Sequence, residues 1–267
     1  MALDGDARNP VRTCSRMARA CATRRRRAQY RSDMRIGIIG ASGNIGSRLV
    51  AEATARGHEI AAYTRRGAST RAARPGVTWR DLDIFDLAAV TAAITTPLDV
   101  LISTYQPGNA ATNFDDTVER SIADPTVYAR AAAVMVRALE ARPATRLIVV
   151  GGAGSLERTP GHAAVDDDAT LAEELRGLGL PESYAVAVRG HRDALRVLRL
   201  SNRWWTYVSP SEDIHAGVRT GRFRLGGDQI LRDADGRSQI SFEDFAAAIV
   251  DEIEIPRHVQ RRFTVGY

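Results

Sequence analysis

Short apolar runs alternate with longer stretches of mixed polarity along most of the chain. RIGII (Arg35–Ile39), EIAAYT (Glu59–Thr64) and residues 77–80 read as strands. DVLIST at 99–104, RLIVV (Arg146–Val150) and WTYVS (Trp205–Ser209) read as further, buried strands. Helical patterns fall between them at 46–56, at 82–93 with Asp86 as its starting signal, and at 125–141. Ser241 followed by Phe242, Glu243 and Asp244 reads as an N-cap with an acidic first turn on the last helix. Strands alternating with helices predict an α/β fold, a doubly wound parallel sheet covered on both faces, as a single domain over residues 34–267.

The pattern begins only at Met34. Residues 1–33 lack apolar periodicity, carry the run Arg24 to Arg27 and hold nine Arg against Asp4, Asp6 and Asp33, a net charge of +6. This Arg-rich extension is expected to be disordered. It has no apolar stretch long enough for a secretory signal or a membrane span. The chain contains no lysine, which points to a GC-rich genome and an early-called start, with Met34 as the physiological one; an organelle transit peptide is the alternative.

Charge changes the picture because of where it lies. The whole chain carries +5 with a pI of about 9.7, a balance that invites a nucleic-acid reading, yet residues 34–267 sum to −1. No nucleic-acid or membrane partner is therefore expected. Both cysteines, Cys14 and Cys21, lie in the extension, so the body has no thiol nucleophile, zinc–cysteine site or disulfide, and the histidines form no ligand pair at helical spacing. A cytoplasmic protein without a metal is expected.

Gly40, Gly43 and Gly46 stand three apart, directly after the first strand and directly before the first helix. In that context Gly40 permits a tight turn, Gly43 the close approach of a pyrophosphate, and Gly46 the close packing of helix on strand. Ser42, Asn44 and Ile45 belong to the same loop, whose amides face an anion at the helix N-terminus. At the end of the second strand, where an acid would hold the 2′-hydroxyl of NAD, the chain reads Tyr63-Thr64-Arg65-Arg66. Two guanidiniums there suit a 2′-phosphate, so NADP(H) is expected over NAD(H). Asp83 and Ile84 follow the third strand where adenine is framed, Ser103 and Thr104 end the fourth near the nicotinamide ribose, and Gly151 and Pro210 follow the fifth and sixth.

The glycine spacing, DLDIFD after the third strand, DVLIST, RLIVVGGAGSL and the late stretch from RTGRFRLGG to RRFTVGY together resemble the atypical short-chain dehydrogenases that include the NADH-flavin reductase group, and more distantly the biliverdin reductase B/flavin reductase enzymes. The resemblance covers essentially all of 34–267 and implies a Rossmann-type NAD(P)H-binding reductase.

Typical short-chain dehydrogenases pair a Tyr with a Lys four residues on. Four residues after Tyr184 stands Val188, and without lysine neither that mechanism nor Schiff-base chemistry is open; Arg189 reads as a helix-surface residue. Hydride transfer to a planar acceptor needs chiefly alignment. Gly151 to Gly154 open space there, Ser155 is the nearest hydroxyl, and the resemblance implies an active-site serine in its loop. His191 corresponds, through the resemblance, to a histidine that donates a proton, a role suited to imidazole near neutral pH. Asp166 to Asp168 read as a solvated loop or helix start, Trp204 and Trp205 as rim and core. The polar stretch 106–124 reads as a lid, and 212–225 as part of the substrate wall.

Three function classes fit. The first is an NADPH-dependent oxidoreductase acting on a flavin, quinone or similar planar acceptor. The second is a non-catalytic NADP(H) sensor in the manner of NmrA-like regulators, and the third a nucleotide-sugar epimerase or dehydratase, which the missing Tyr/Lys pair disfavours.

Overall fold

The computed structural model describes residues 33–107 and 113–267. All but the last residue of the expected disordered extension, and positions 108–112 of the expected lid, lie outside the described residues. Residues 34–267 form one compact unit.

Parallel strands β1 (Arg35–Ile39), β2 (Glu59–Thr64), β3 (Val77–Asp81), β4 (Val100–Ser103), β5 (Arg146–Val150), β8 (Trp205–Ser209) and β12 (Arg261–Gly266) build the central sheet, with β10 (Arg224–Gly226) antiparallel at one edge. Their spatial order is β10-β12-β8-β5-β4-β1-β2-β3, while β6 (Glu157–Thr159) pairs with β7 (His162–Ala163) and β9 (Asp213–His215) with β11 (Gln239–Ser241) in two small separate sheets. The chain thus winds outward from β1 in one direction through β3, then crosses back to β4 beside β1 and winds the other way. This is the doubly wound Rossmann arrangement expected from the alternation.

Alternate residues of each strand point to opposite faces, so each strand feeds two cores. Ile36, Ile38, Val100, Ile102, Ile148 and Val208 pack with Leu49, Val50, Phe245 and Ile249 from α1 (Asn44–Ala55) and α7 (Phe242–Glu254). Leu101, Leu147, Trp205 and Tyr207 pack on the other face with Val90 and Ile94 of α2 (Leu87–Thr95), Met135 of α4 (Val127–Ala138), and Leu195 and Leu198 of α6 (Ala185–Arg199). Central strands buried on both faces are why RLIVV and DVLIST read as unbroken apolar runs.

Helix boundaries differ from the sequence expectation where a side chain decides them. The expected helix at 82–93 begins only at Leu87, because the Asp86 carboxylate accepts the Ala89 amide at 3.0 Å and caps it there. The stretch expected as a polar lid contains α3 (Phe114–Ile122), capped by Asn113 on the Asp116 amide at 2.9 Å. Asp167 caps α5 (Asp168–Gly177) through the Thr170 amide at 2.8 Å, which explains one member of the Asp166 to Asp168 run. Ser241 caps α7 through Asp244, as read from the sequence. Arg189 lies on α6 in an ion pair with Asp168 at 2.6 Å, and Trp204 is exposed where Trp205 is buried.

Candidate functional site

At the C-terminal ends of β1, β4, β5 and β8 lies a cavity of about 310 Å³, at the point where the winding reverses. Such crevices form because neighbouring connections run to opposite faces of the sheet. Asn44 and Ile45 line it from the glycine turn, Thr104 to Gln106 from the end of β4, Gly151 to Gly154 from the end of β5, and Pro210 to Glu212 from the end of β8. The far wall is apolar: Leu171, Leu175 and Leu178 from α5 and the residue after it, Leu180 beyond, and Val188 on α6.

The glycine turn has a shape that only glycine allows. Gly40 sits at φ +81°, and a Cβ there would meet the Thr104 hydroxyl at 2.6 Å; one on Gly46 would meet the Gly40 carbonyl oxygen at 2.1 Å. Thr104 Oγ1 donates to the carbonyls of Ile39 and Gly40, each at 3.1 Å, and holds the turn against β4. The Ser42 and Thr64 hydroxyls, 3.2 Å apart, tie it to the end of β2. Whereas α2, α3, α5 and α7 have side-chain caps, α1, like α4 and α6, has none, and its N-cap is Gly43. Its first-turn amides therefore have no side-chain acceptor and stand beside a glycine cradle, a donor set that fits a pyrophosphate.

The remaining expected cofactor residues are placed as follows. Arg65 and Arg66 are exposed just beyond β2, and neither has an ion-pair partner among the described residues. Asp83 makes a local turn by accepting the Phe85 amide at 2.9 Å, and Ile84 is buried with Ile39 and Tyr63. Ser103 Oγ accepts the Tyr105 amide at 3.3 Å and is buried. Gly151 and Pro210 line the cavity, and Gly151 faces the Tyr207 ring so closely that a Cβ would come within 2.1 Å of it.

The two residues expected to do chemistry are placed differently. Ser155 is buried and absent from the cavity lining; its hydroxyl and carbonyl oxygens accept from Arg262 Nη1 at 3.2 and 2.8 Å. Its environment is that of a loop anchor. His191 does line the cavity, beside Gly152 and tilted on the Tyr128 ring with centroids 3.9 Å apart. Burial pushes its pKa down to about 4, so the ring is neutral at pH 7 and holds no proton beyond its single ring N–H to donate there.

Sequence reading misses Tyr105 as a lining residue, sets Tyr184 aside for want of a lysine and takes Gln106 only as the start of the lid. Tyr105, Gln106 and Tyr184 cluster at one side, where Gln106 Nε2 donates to the Ser121 hydroxyl at 3.2 Å and Tyr128 donates to Gln106 Oε1 at 3.1 Å. Burial pushes the Tyr105 phenol up to about 12, against the pull of Arg65 and Arg130, and that of Tyr184 above its ordinary value. Neither phenol ionises near neutrality. Arg158 and Glu174 were also missed; charged residues in an unassigned hairpin and helix carry no local signal of facing a cavity.

The comparisons with known proteins agree with this architecture. The chain is 32% identical over 236 residues to the uncharacterized protein YwnB of Bacillus subtilis, covering 87% of this chain and 98% of that one. A candidate epimerase from Bacteroides thetaiotaomicron superposes with a TM-score of 0.70 at 32% identity, covering 88% and 97% of the two chains. A candidate NADH-flavin reductase from Streptococcus pneumoniae superposes with a TM-score of 0.68 at 30% identity, covering 87% and 99%. No helix among the described residues is long and apolar enough to cross a membrane. The NAD(P)H-binding family model matches residues 40–256, from the first glycine of the turn to just beyond the last helix, and the chain belongs to that family.

Proposed function

We propose that the protein is an NADPH-dependent oxidoreductase that passes a hydride to a planar acceptor, a flavin or a quinone, without a Tyr/Lys pair. The observation that carries this reading is the cavity itself: a glycine-lined floor from Gly151 to Gly154 continues from the anion cradle of α1 into an apolar wall of leucines. A bound reduced nicotinamide supplies the hydride, two electrons travelling with it, and the second proton of the reduction comes from solvent. The chain's own part is to hold and exclude. Gly40, Ser42, Gly43, Asn44, Ile45 and Gly46 would hold the pyrophosphate, Thr104, Gly151 and Pro210 the nicotinamide end, and Asp83, Ile84 and Ser103 the flanks.

Arg65 and Arg66, with no carboxylate paired to them among the described residues at the end of β2, would receive the 2′-phosphate. The leucine wall and Val188 keep water from the reacting faces, and His191, uncharged, orients the acceptor by stacking and by a single ring N–H. A flavin needs no acid from the protein once the rings are stacked. Cytoplasmic NADPH suits such a reductase.

The name of the Streptococcus relative supports this reading and that of the Bacteroides relative an epimerase. An epimerase acting on a hydroxyl needs a base tuned near neutrality, and the cavity's phenols are shifted upward while its histidine, with a pKa near 4, is a weak base. Steady-state oxidation of NADPH in the presence of riboflavin, FMN and menadione tests the proposal. Turnover with at least one acceptor is expected; tight NADPH binding with no turnover on any of them would replace it with the sensor reading.

A further inference from the structure

Three charged side chains line the cavity: Arg158, Glu174 and Glu212. Arg158 sits on β6 (Glu157–Thr159), Glu174 on α5 and Glu212 in the segment after β8, so the three come from separate parts of the chain. Arg158 Nε donates to Glu174 Oε1 at 2.6 Å, and its Nη2 stands 3.1 Å from Glu212 Oε1. Glu212 is met from its other side by Arg232 at 3.1 Å. The one cation among the described lining residues is thus shared by two carboxylates. All three side chains are only 12 to 25% exposed, so the charges face the cavity wall with little water to screen them.

The remaining described lining residues are apolar or neutral, and His191 is uncharged at neutral pH. We infer that the acceptor end of the cavity selects uncharged planar acceptors and discriminates against those bearing a phosphate, sulfonate or carboxylate. This rests on reading the cavity as the acceptor site. An anionic substituent entering here meets two carboxylates, or must displace Glu174 from Arg158 and leave that largely buried carboxylate without its cation. An uncharged ring meets the leucine wall, the glycine floor and neutral polar side chains, and displaces no ion pair.

Riboflavin and FMN share the ring and ribityl chain and differ by one phosphate, so they isolate the charge. Titration of flavin fluorescence with the full chain saturated in NADP⁺ should show riboflavin binding at least about tenfold tighter than FMN, with the gap shrinking as salt is raised. The kcat/KM values for riboflavin over FMN, and for menadione over a sulfonated naphthoquinone, should follow the same order. Glu174→Gln, which frees part of Arg158, should narrow the riboflavin-to-FMN ratio by about threefold or more, whereas Glu173→Gln, on the exposed side of the same helix, should not.

Should Glu174→Gln fail to fold, Glu212→Gln supplies the same comparison. Equal affinity for both flavins, an unaltered ratio in the folded variant, or no binding of any of the four acceptors overturns the inference. Riboflavin preferred in binding with no acceptor reduced would leave the charge selectivity standing and remove the reductase reading. Equal reduction of both flavins would do the reverse.

Discussion

The carbonyl oxygen of Gly40 lies 2.1 Å from where a Cβ on Gly46 would stand. No real contact is that short, so the first turn of α1 touches the strand-to-helix turn only because residue 46 has no side chain. Gly46→Ala must push α1 away from the cradle and from the apolar cluster that holds Leu49 and Val50. A loss of about 1–3 kcal/mol in stability is expected, with NADPH affinity falling by at least about tenfold. Urea denaturation and nucleotide titration of the same preparation measure both; unchanged affinity in a folded variant would move the dinucleotide elsewhere.

Arg65 and Arg66 carry the choice of nucleotide. Replacing both by Ala should weaken NADPH by about 2–3 kcal/mol, since charge-assisted hydrogen bonds contribute about 1.5–3 kcal/mol each and these side chains are partly screened by solvent. NADH should hardly respond. Isothermal titration with both nucleotides decides it, and equal losses would assign the pair to structure.

His191 links acidity to stability. An unfolded histidine takes up a proton near pH 6.5, whereas the folded one does so only near 4. Between those values the unfolded chain binds the extra proton and the folded chain does not, so stability present above about pH 6.5 is lost as the pH falls towards about 4, by about 3 kcal/mol in all. His191→Gln should remove that slope, visible as denaturation midpoints at pH 7.5 and 5 that lie closer together than in the wild type. The same variant should lower riboflavin reduction by less than about tenfold at pH 7.5, where an essential general acid would cost about 10²-fold or more. A loss of that larger size would restore the proton-donor role.

Away from the cavity, Arg146 on β5 hydrogen-bonds Glu252 on α7, and both are buried. Burial alone would raise the Glu252 carboxyl, but donors from the backbone and ring of His258 and from Arg146 hold it below the ordinary carboxylate range. Glu252→Gln leaves a buried guanidinium without its counter-charge and should destabilise the fold by about 3–5 kcal/mol. The paired change Arg146→Met with Glu252→Leu should cost much less, and neither should alter NADPH affinity in folded protein. Chemical denaturation of the single and double variants checks the contrast.

Much of this protein was legible in its one-dimensional pattern. The strands at Arg35–Ile39, Glu59–Thr64, Arg146–Val150 and Trp205–Ser209 stand where the apolar runs placed them, because a strand buried on both faces needs an unbroken run and the turn residues that bound it are local. The glycine turn was legible for the same reason: positive φ at Gly40 and the closeness of Gly46 are constraints within seven residues of chain. Ser241 and Asp86 mark their helices through hydrogen bonds that span three residues.

What tertiary structure alone decided is which side chains face the cavity and in what state. Ser155 and His191 are equally polar in sequence, yet the strand β12 brings Arg262 to the first, and the packing of α6 against Tyr128 desolvates the second. Arg158, Glu174 and Glu212 are separated by up to 54 positions and meet only because the β6 hairpin, α5 and the segment after β8 close one wall. Burial and pairing depend on distances that no local pattern records. The hydrophobic period specifies the frame, while charge state and direction are set by which other elements that frame carries alongside.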